Sequence, residues 1–175
     1  MKAGRRFVGI ILLCGLALAS ACGDNTPTSP RAAPPSADLV GSLLGATGLL
    51  KCSDLPYAST TQTVGIGGGI IFAGPHKLVI PQGALSQPTT ITMIVPTGLG
   101  VNAVKFQPEG LQFQKPAALT MSYANCSLLG KLLPKRIAYT TDALQILYYL
   151  LSLDNLFSKY VTGKVNHFSS YVIAW

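Results

Sequence analysis

The sequence predicts an all-β fold, a single antiparallel β-sandwich of about eight to ten strands. Three observations predict it. Short runs rich in β-branched and aromatic residues recur from Gly67 to Tyr123 and from Ile137 to Trp175, each bounded by Gly, Pro, Asn or Asp. Several runs alternate: Val104 and Phe106 oppose Lys105 and Gln107, and Leu111 and Phe113 oppose Gln112 and Gln114. A period of two implies one buried and one wet face, hence antiparallel sheets packed on a partner. Finally, the segment 52–175 is long enough to bury about two-thirds of its unfolded surface, which suffices without a cofactor.

The chain opens on a targeting pattern. Lys2, Arg5 and Arg6 precede an apolar run from Phe7 to Leu18, too short to span a bilayer comfortably. Leu-Ala-Ser-Ala closes this run before Cys22, which resembles the lipobox of bacterial lipoproteins. Residues 1–21 are therefore expected to be a removed signal peptide and Cys22 to carry the lipid. The alternative is an ordinary signal peptide cut near Ala21. Without Lys2, Arg5 and Arg6, ten basic side chains face six acidic ones, a balance of +4. That mild charge, with no aromatic-and-basic strand signature, calls for no nucleic-acid partner.

Residues 22–51 read as a lipidated tether. Gly23 to Ala37 is Pro-, Ser- and Thr-rich, with too few apolar residues to form a core. By analogy with enterobacterial sorting, Gly23 rather than Asp after the lipidated Cys points to the outer membrane. Leu39, Val40, Leu43 and Leu44 then fall at helical spacing behind Asp38, a possible N-cap. The run is short with few cations. That favours a turn of helix on the sandwich, or disorder, over a helix on the bilayer.

Residues 52–175 form the expected domain. Cys52 and Cys126 are an even pair flanking the first strand block, in a compartment where disulfides persist, so a bridge is expected. The Gly65–Gly69 cluster suits a turn or bulge. No Lys-Ser or Lys-Thr follows it, so it is no phosphate loop. Candidate strands are Ile70–Ala73, Leu78–Ile80, Ile91–Val95, Val104–Gln107, Leu111–Gln114, Leu119–Tyr123, Ile137–Thr140, Ala143–Leu151, Phe157–Val161, Lys164–Phe168 and Tyr171–Trp175. Pro108-x-Gly110 suits a hairpin turn, Lys115-Pro116 a break between strands, and Asp154-Asn155 a second hairpin turn. Lys131, Lys135 and Arg136 lie in a connection read as a solvated loop, with a basic spot for anionic groups as the alternative.

Several short motifs fall in an order that resembles the ZU-five domain of netrin receptors, ankyrins and zonula occludens proteins. They are Gly68-Gly69, Val79-Ile80-Pro81-x-Gly83-Ala84-Leu85, Pro108-x-Gly110 and Phe113-x-Lys115-Pro116 before a strand. The resemblance spans roughly Val64 to Trp175. It implies a sandwich serving protein–protein contact, without a conventional active site. Some ZU-five relatives cleave themselves between the Phe and Ser of a His-Phe-Ser tripeptide, and His167-Phe168-Ser169 stands just before the last strand. The plainer reading is a turn in which His167 and Ser169 form hydrogen bonds and Phe168 fills the core.

Conventional catalysis finds no footing. From Cys52 onward the acids are Asp54, Glu109, Asp142 and Asp154, none in a motif and no two paired. No nucleophile elbow appears, and His76 and His167 alone could accompany the cysteines at a metal, so neither metal nor cofactor is expected. Three functions remain: a lipid-anchored interaction or scaffolding module binding an envelope protein, a glycan- or peptidoglycan-binding sandwich marked by clustered exposed aromatics, or a self-cleaving domain.

Overall fold

The computed structural model describes residues 47–128 and 133–175. Residues 1–21, Cys22, most of the 22–51 segment with its helical spacing, and Lys131 lie outside the described residues. The described chain holds eleven strands and no helix, one strand more than the upper end of the expectation. They are β1 (Ala58–Val64), β2 (Gly69–Ala73), β3 (His76–Ile80), β4 (Thr89–Val95), β5 (Ala103–Gln107), β6 (Gln112–Ser122), β7 (Arg136–Thr140), β8 (Ile146–Tyr149), β9 (Ser152–Asn155), β10 (Tyr160–His167) and β11 (Ser170–Ala174). Six form one sheet in the order β1-β4-β5-β11-β7-β8, and five form another in the order β2-β3-β6-β10-β9. Every pairing is antiparallel.

One core lies between the sheets. Ile71, Leu78, Leu119 and Met121 from one sheet meet Ile91, Met93, Ile137 and Ile173 from the other, all fully buried. A smaller apolar layer covers the opposite face of the six-stranded sheet, where Leu49 packs on Ala103, Ala138, Val172 and Ala174. Leu49 and Leu50 are themselves buried, so the packed chain begins ahead of Cys52. Leu50 N–H donates to the Ile173 carbonyl at 3.1 Å, and Trp175 N–H to the Gly48 carbonyl at 3.0 Å. Cys52 and Cys126 are disulfide-bonded, closing a separation of 74 residues. In the chain-entropy account a loop of that length stabilises the fold by about 4 kcal/mol.

Several expectations are corrected. Pro108-x-Gly110 makes no hairpin, because β5 and β6 belong to different sheets; it is a corner in which Gly110 adopts φ +77°. Lys115-Pro116 does not end a strand. β6 runs through it, while its register against β10 jumps from Ala117↔Val165 to Gln112↔His167. Pro116 therefore falls in a bulged stretch where its missing N–H costs no ladder bond. Gln114 N–H turns instead to the Ala84 carbonyl at 2.9 Å.

Ala143–Leu151 is no single strand. Leu144 adopts φ 61° in the turn after β7, β8 spans only four residues, and the chain then changes sheets into β9. Asp154 and Asn155 end β9, and the turn follows at 156–159 with Lys159 at φ 55°. Phe157–Val161 and Lys164–Phe168 are not two strands either, since β10 is continuous. Gly163 lies at its centre, where a Cβ would press on Ile137 and on Ser152 Oγ, each at 3.2 Å.

β1 has no counterpart among the expected strands. Its sequence is almost wholly polar, and it is held at the sheet edge by a seven-residue register with β4. Hydroxyl pairs Thr61–Thr92 at 2.9 Å and Thr63–Thr90 at 3.0 Å reinforce that register. Lys135 is buried rather than solvated, its ammonium donating to the Leu133 carbonyl at 2.6 Å.

His76 is fully buried in β3. Its Nδ1 accepts the Ser122 N–H at 3.1 Å, while Nε2 has no partner among the described residues. Burial lowers its pKa from 6.5 to about 4. Above pH 6.5 both folded and unfolded chains hold neutral imidazole. Between the two values the unfolded chain takes up a proton that the folded chain refuses, so stability falls by about 3 kcal/mol as pH drops to 4. Denaturant midpoints at pH 7 and pH 4 test this. The loss should shrink by that amount in His76→Gln, and an unchanged loss would refute the assignment.

Candidate functional site

The His-Phe-Ser tripeptide forms the corner that carries the chain from β10 in one sheet to β11 in the other. It is clamped to the other corner, 107–111. Phe168 N–H donates to the Leu111 carbonyl at 2.9 Å, Gly110 N–H to the Phe168 carbonyl at 2.9 Å, and Phe106 N–H to the Ser169 carbonyl at 3.2 Å. The Phe168 ring fills the space between, stacked on Phe106 at 4.7 Å and edge-on to Phe113 at 5.0 Å. The tripeptide thus has its apolar member in the core and its backbone in a fixed loop.

Its two polar side chains open in different directions. The His167 ring lies edge-on to Tyr139 at 5.1 Å, beside Tyr171, whose hydroxyl donates to the His167 carbonyl at 2.6 Å. Burial, then the neighbouring Tyr139, pushes the Tyr171 hydroxyl above its ordinary pKa. His167 lines a cleft of about 350 Å³ with Tyr139, Tyr148, Leu151 and Lys164. Ser169 is buried and lines a separate depression of about 590 Å³ with Thr92, Lys105, Asp142 and Ser170.

Two features of a self-cleaving corner are present and one is missing. Gly110 N–H already points at the Phe168 carbonyl oxygen, where negative charge would develop, and His167 Nδ1 lies 3.5 Å from the same oxygen. No hydrogen bond joins His167 to Ser169 Oγ among the described residues, so the base is not set against the nucleophile.

Glu109 is exposed and lines the Ser169 depression, while the other three acids are occupied structurally. Asp142 pairs with Lys105 at 2.6 Å and accepts Ser170 Oγ–H at 3.3 Å. Lys105, then Ser170, holds its carboxyl below the usual range. Lysine and serine both donate to one weakly basic carboxylate, an arrangement that leaves the Ser170 hydroxyl unactivated. Asp154 accepts the Tyr123 hydroxyl at 2.6 Å and Lys135 N–H at 2.8 Å. Asp54 accepts Gly98 N–H at 3.1 Å and Gly100 N–H at 3.3 Å. Burial, then Asp154, raises the Tyr123 hydroxyl above its ordinary pKa.

The surface offers two features that the sequence reading did not locate. The β8–β9 edge and the turn after it expose Leu147, Tyr148, Leu151, Leu153 and Phe157, with Leu151 at 85% and Phe157 fully exposed. On the outer face of the five-stranded sheet, Phe72, Lys77, Thr120, Thr162 and Leu153 stand in one cross-strand row. Phe72 and Tyr160 flank a depression of about 360 Å³ over Lys77 and Thr120. The apolar run 146–151 lies within a candidate strand of the sequence, but its exposure depends on which strands lie at the edge.

No family model matches the chain, and no curated protein matches it.

The unpaired base and nucleophile decide the expectation for cleavage. Intact-mass spectrometry of purified protein should give one species after prolonged incubation. A product lighter by Ser169–Trp175, absent in Ser169→Ala, would establish the reaction instead.

Proposed function

We propose that this protein is a lipid-anchored cell-envelope protein, held at the outer membrane through Cys22 after removal of residues 1–21, and that its β-sandwich is a non-enzymatic interaction module. The observation that carries this reading is the exposed apolar edge at β8–β9. A domain that buries its core fully yet leaves Leu151, Leu153 and Phe157 in water presents a surface suited to a partner. The order of motifs that resembles ZU-five domains supports the same class of function, and the lipobox-like run before Cys22 supports the anchor. With Cys22→Ser, the protein expressed in a bacterium should lose the acyl mass at that position and leave the fraction that wild type occupies. Equal acylation or equal partition of the variant would refute the anchor.

The Phe72–Tyr160 depression favours a second reading, a glycan- or peptidoglycan-binding face. Two aromatic side chains flank hydrogen-bonding groups from Lys77 and Thr120, an arrangement suited to a sugar ring. On this reading wild type co-sediments with purified peptidoglycan. Phe72→Ala or Tyr160→Ala weakens binding about tenfold, the equivalent of about 1.4 kcal/mol for one lost aromatic contact. Equal retention of wild type and both variants would discard the sugar site.

A further inference from the structure

We propose that the β8–β9 edge and the turn that follows it form a membrane-contact surface, which lays the sandwich on anionic phospholipid beside its own anchor. The proposal rests on the lipid-anchored reading above and names the partner of that exposed edge as the bilayer itself.

Composition comes first. Six large apolar side chains, Leu147, Tyr148, Leu151, Leu153, Leu156 and Phe157, lie about half exposed or more within one short run. An aromatic side chain of this kind carries about 150–250 Å² of surface. All six stand within the eleven residues from Leu147 to Phe157. Leucine, phenylalanine and tyrosine together suit the boundary between headgroups and acyl chains, where Tyr keeps its hydroxyl wet. Phe157 stands in the turn beyond β9, the most protruding kind of position a strand pair offers.

Charge points the same way. Lys159 follows Phe157 in that turn, Lys164 lines the cleft with Tyr148 and Leu151, and Arg136 stacks over the Tyr149 ring at 5.7 Å. All three cations are exposed. The acid of this region is Asp154, whose two carboxylate oxygens are engaged by Tyr123 and the Lys135 backbone. The rim is thus basic with its acid occupied, which suits anionic headgroups.

Chain entry supplies the third argument. A Cβ on Gly48 would meet the Tyr149 hydroxyl at 2.9 Å, so the first described residues lie against β8. Cys22 and Thr47 are separated by 24 residues, positions 23–46. A chain of that length spans at most about 80 Å. The described chain thus enters the sandwich beside β8, the strand where the apolar run begins.

Protein isolated from the envelope, anchor included, is reconstituted in vesicles of phosphatidylethanolamine and phosphatidylglycerol. Limited trypsin then cuts after Arg31, the basic residue between Cys22 and Thr47. The released domain should stay with the vesicles and should leave them on transfer to high salt with vesicles lacking phosphatidylglycerol. Leu153→Ser/Phe157→Ser should be retained about tenfold less, as expected for losing the burial of large apolar side chains. Both positions are exposed, and an unchanged thermal midpoint confirms that the variant folds. Equal release of wild type and variant overturns the proposal. So does a released domain that is dimeric in wild type and monomeric in the variant without vesicle retention, which would assign the edge to a second copy of this chain. Failure of the anchor reading appears separately, as the absence of an acyl mass at Cys22.

Discussion

The junction of two sheet-to-sheet corners is the constraint on which the rest of this sandwich depends. Phe168 cannot leave its place between Phe106 and Phe113 without breaking the backbone bonds that tie it to Gly110 and Leu111. Those bonds set where β10 ends and β11 begins, and so align the five-stranded sheet against the six-stranded one. A buried N–H or carbonyl at such a corner must find a partner, and each corner supplies the other's. The same bonds fix the backbone of the His-Phe-Ser tripeptide while leaving its two polar side chains to open on opposite sides.

Much of the fold was readable from alternation. The runs at Ile91–Val95 and Val104–Gln107 sit in strands whose inward residues, Ile91, Met93, Val104 and Phe106, are buried in the core. The errors share one physical cause, which is that sheet membership is a tertiary property. Pro108 and Gly110 make a turn whether the next strand returns to the same sheet or crosses to the other. Lys115-Pro116 breaks a ladder locally, yet β6 continues because Gln114 finds a substitute acceptor at Ala84. β1 escaped notice because an edge strand with water on nearly every side chain needs no apolar alternation.

The site was less readable, for a related reason. A tripeptide can be recognised by its letters, but whether His167 meets Ser169 depends on the direction each side chain takes at a sheet change. The pairing of Cys52 with Cys126 was expected from an even pair of thiols, and the structure joins them. The apolar run 146–151 argued for a strand on composition alone. Its exposure follows from β8 and β9 each lying at the edge of its sheet, a fact that no local pattern encodes.

The position of β11 carries a consequence for how the chain assembles. It is the last strand in sequence, yet it lies inside the six-stranded sheet, paired on one side with β5 and on the other with β7. Until it arrives, β1-β4-β5 and β7-β8 are two separate ribbons with unsatisfied edges facing each other. A chain emerging amino terminus first carries those open edges until β11 follows and fills the gap. Such non-local closure is slow relative to hairpin formation. The half-built protein is therefore the state most prone to pair with a neighbouring chain.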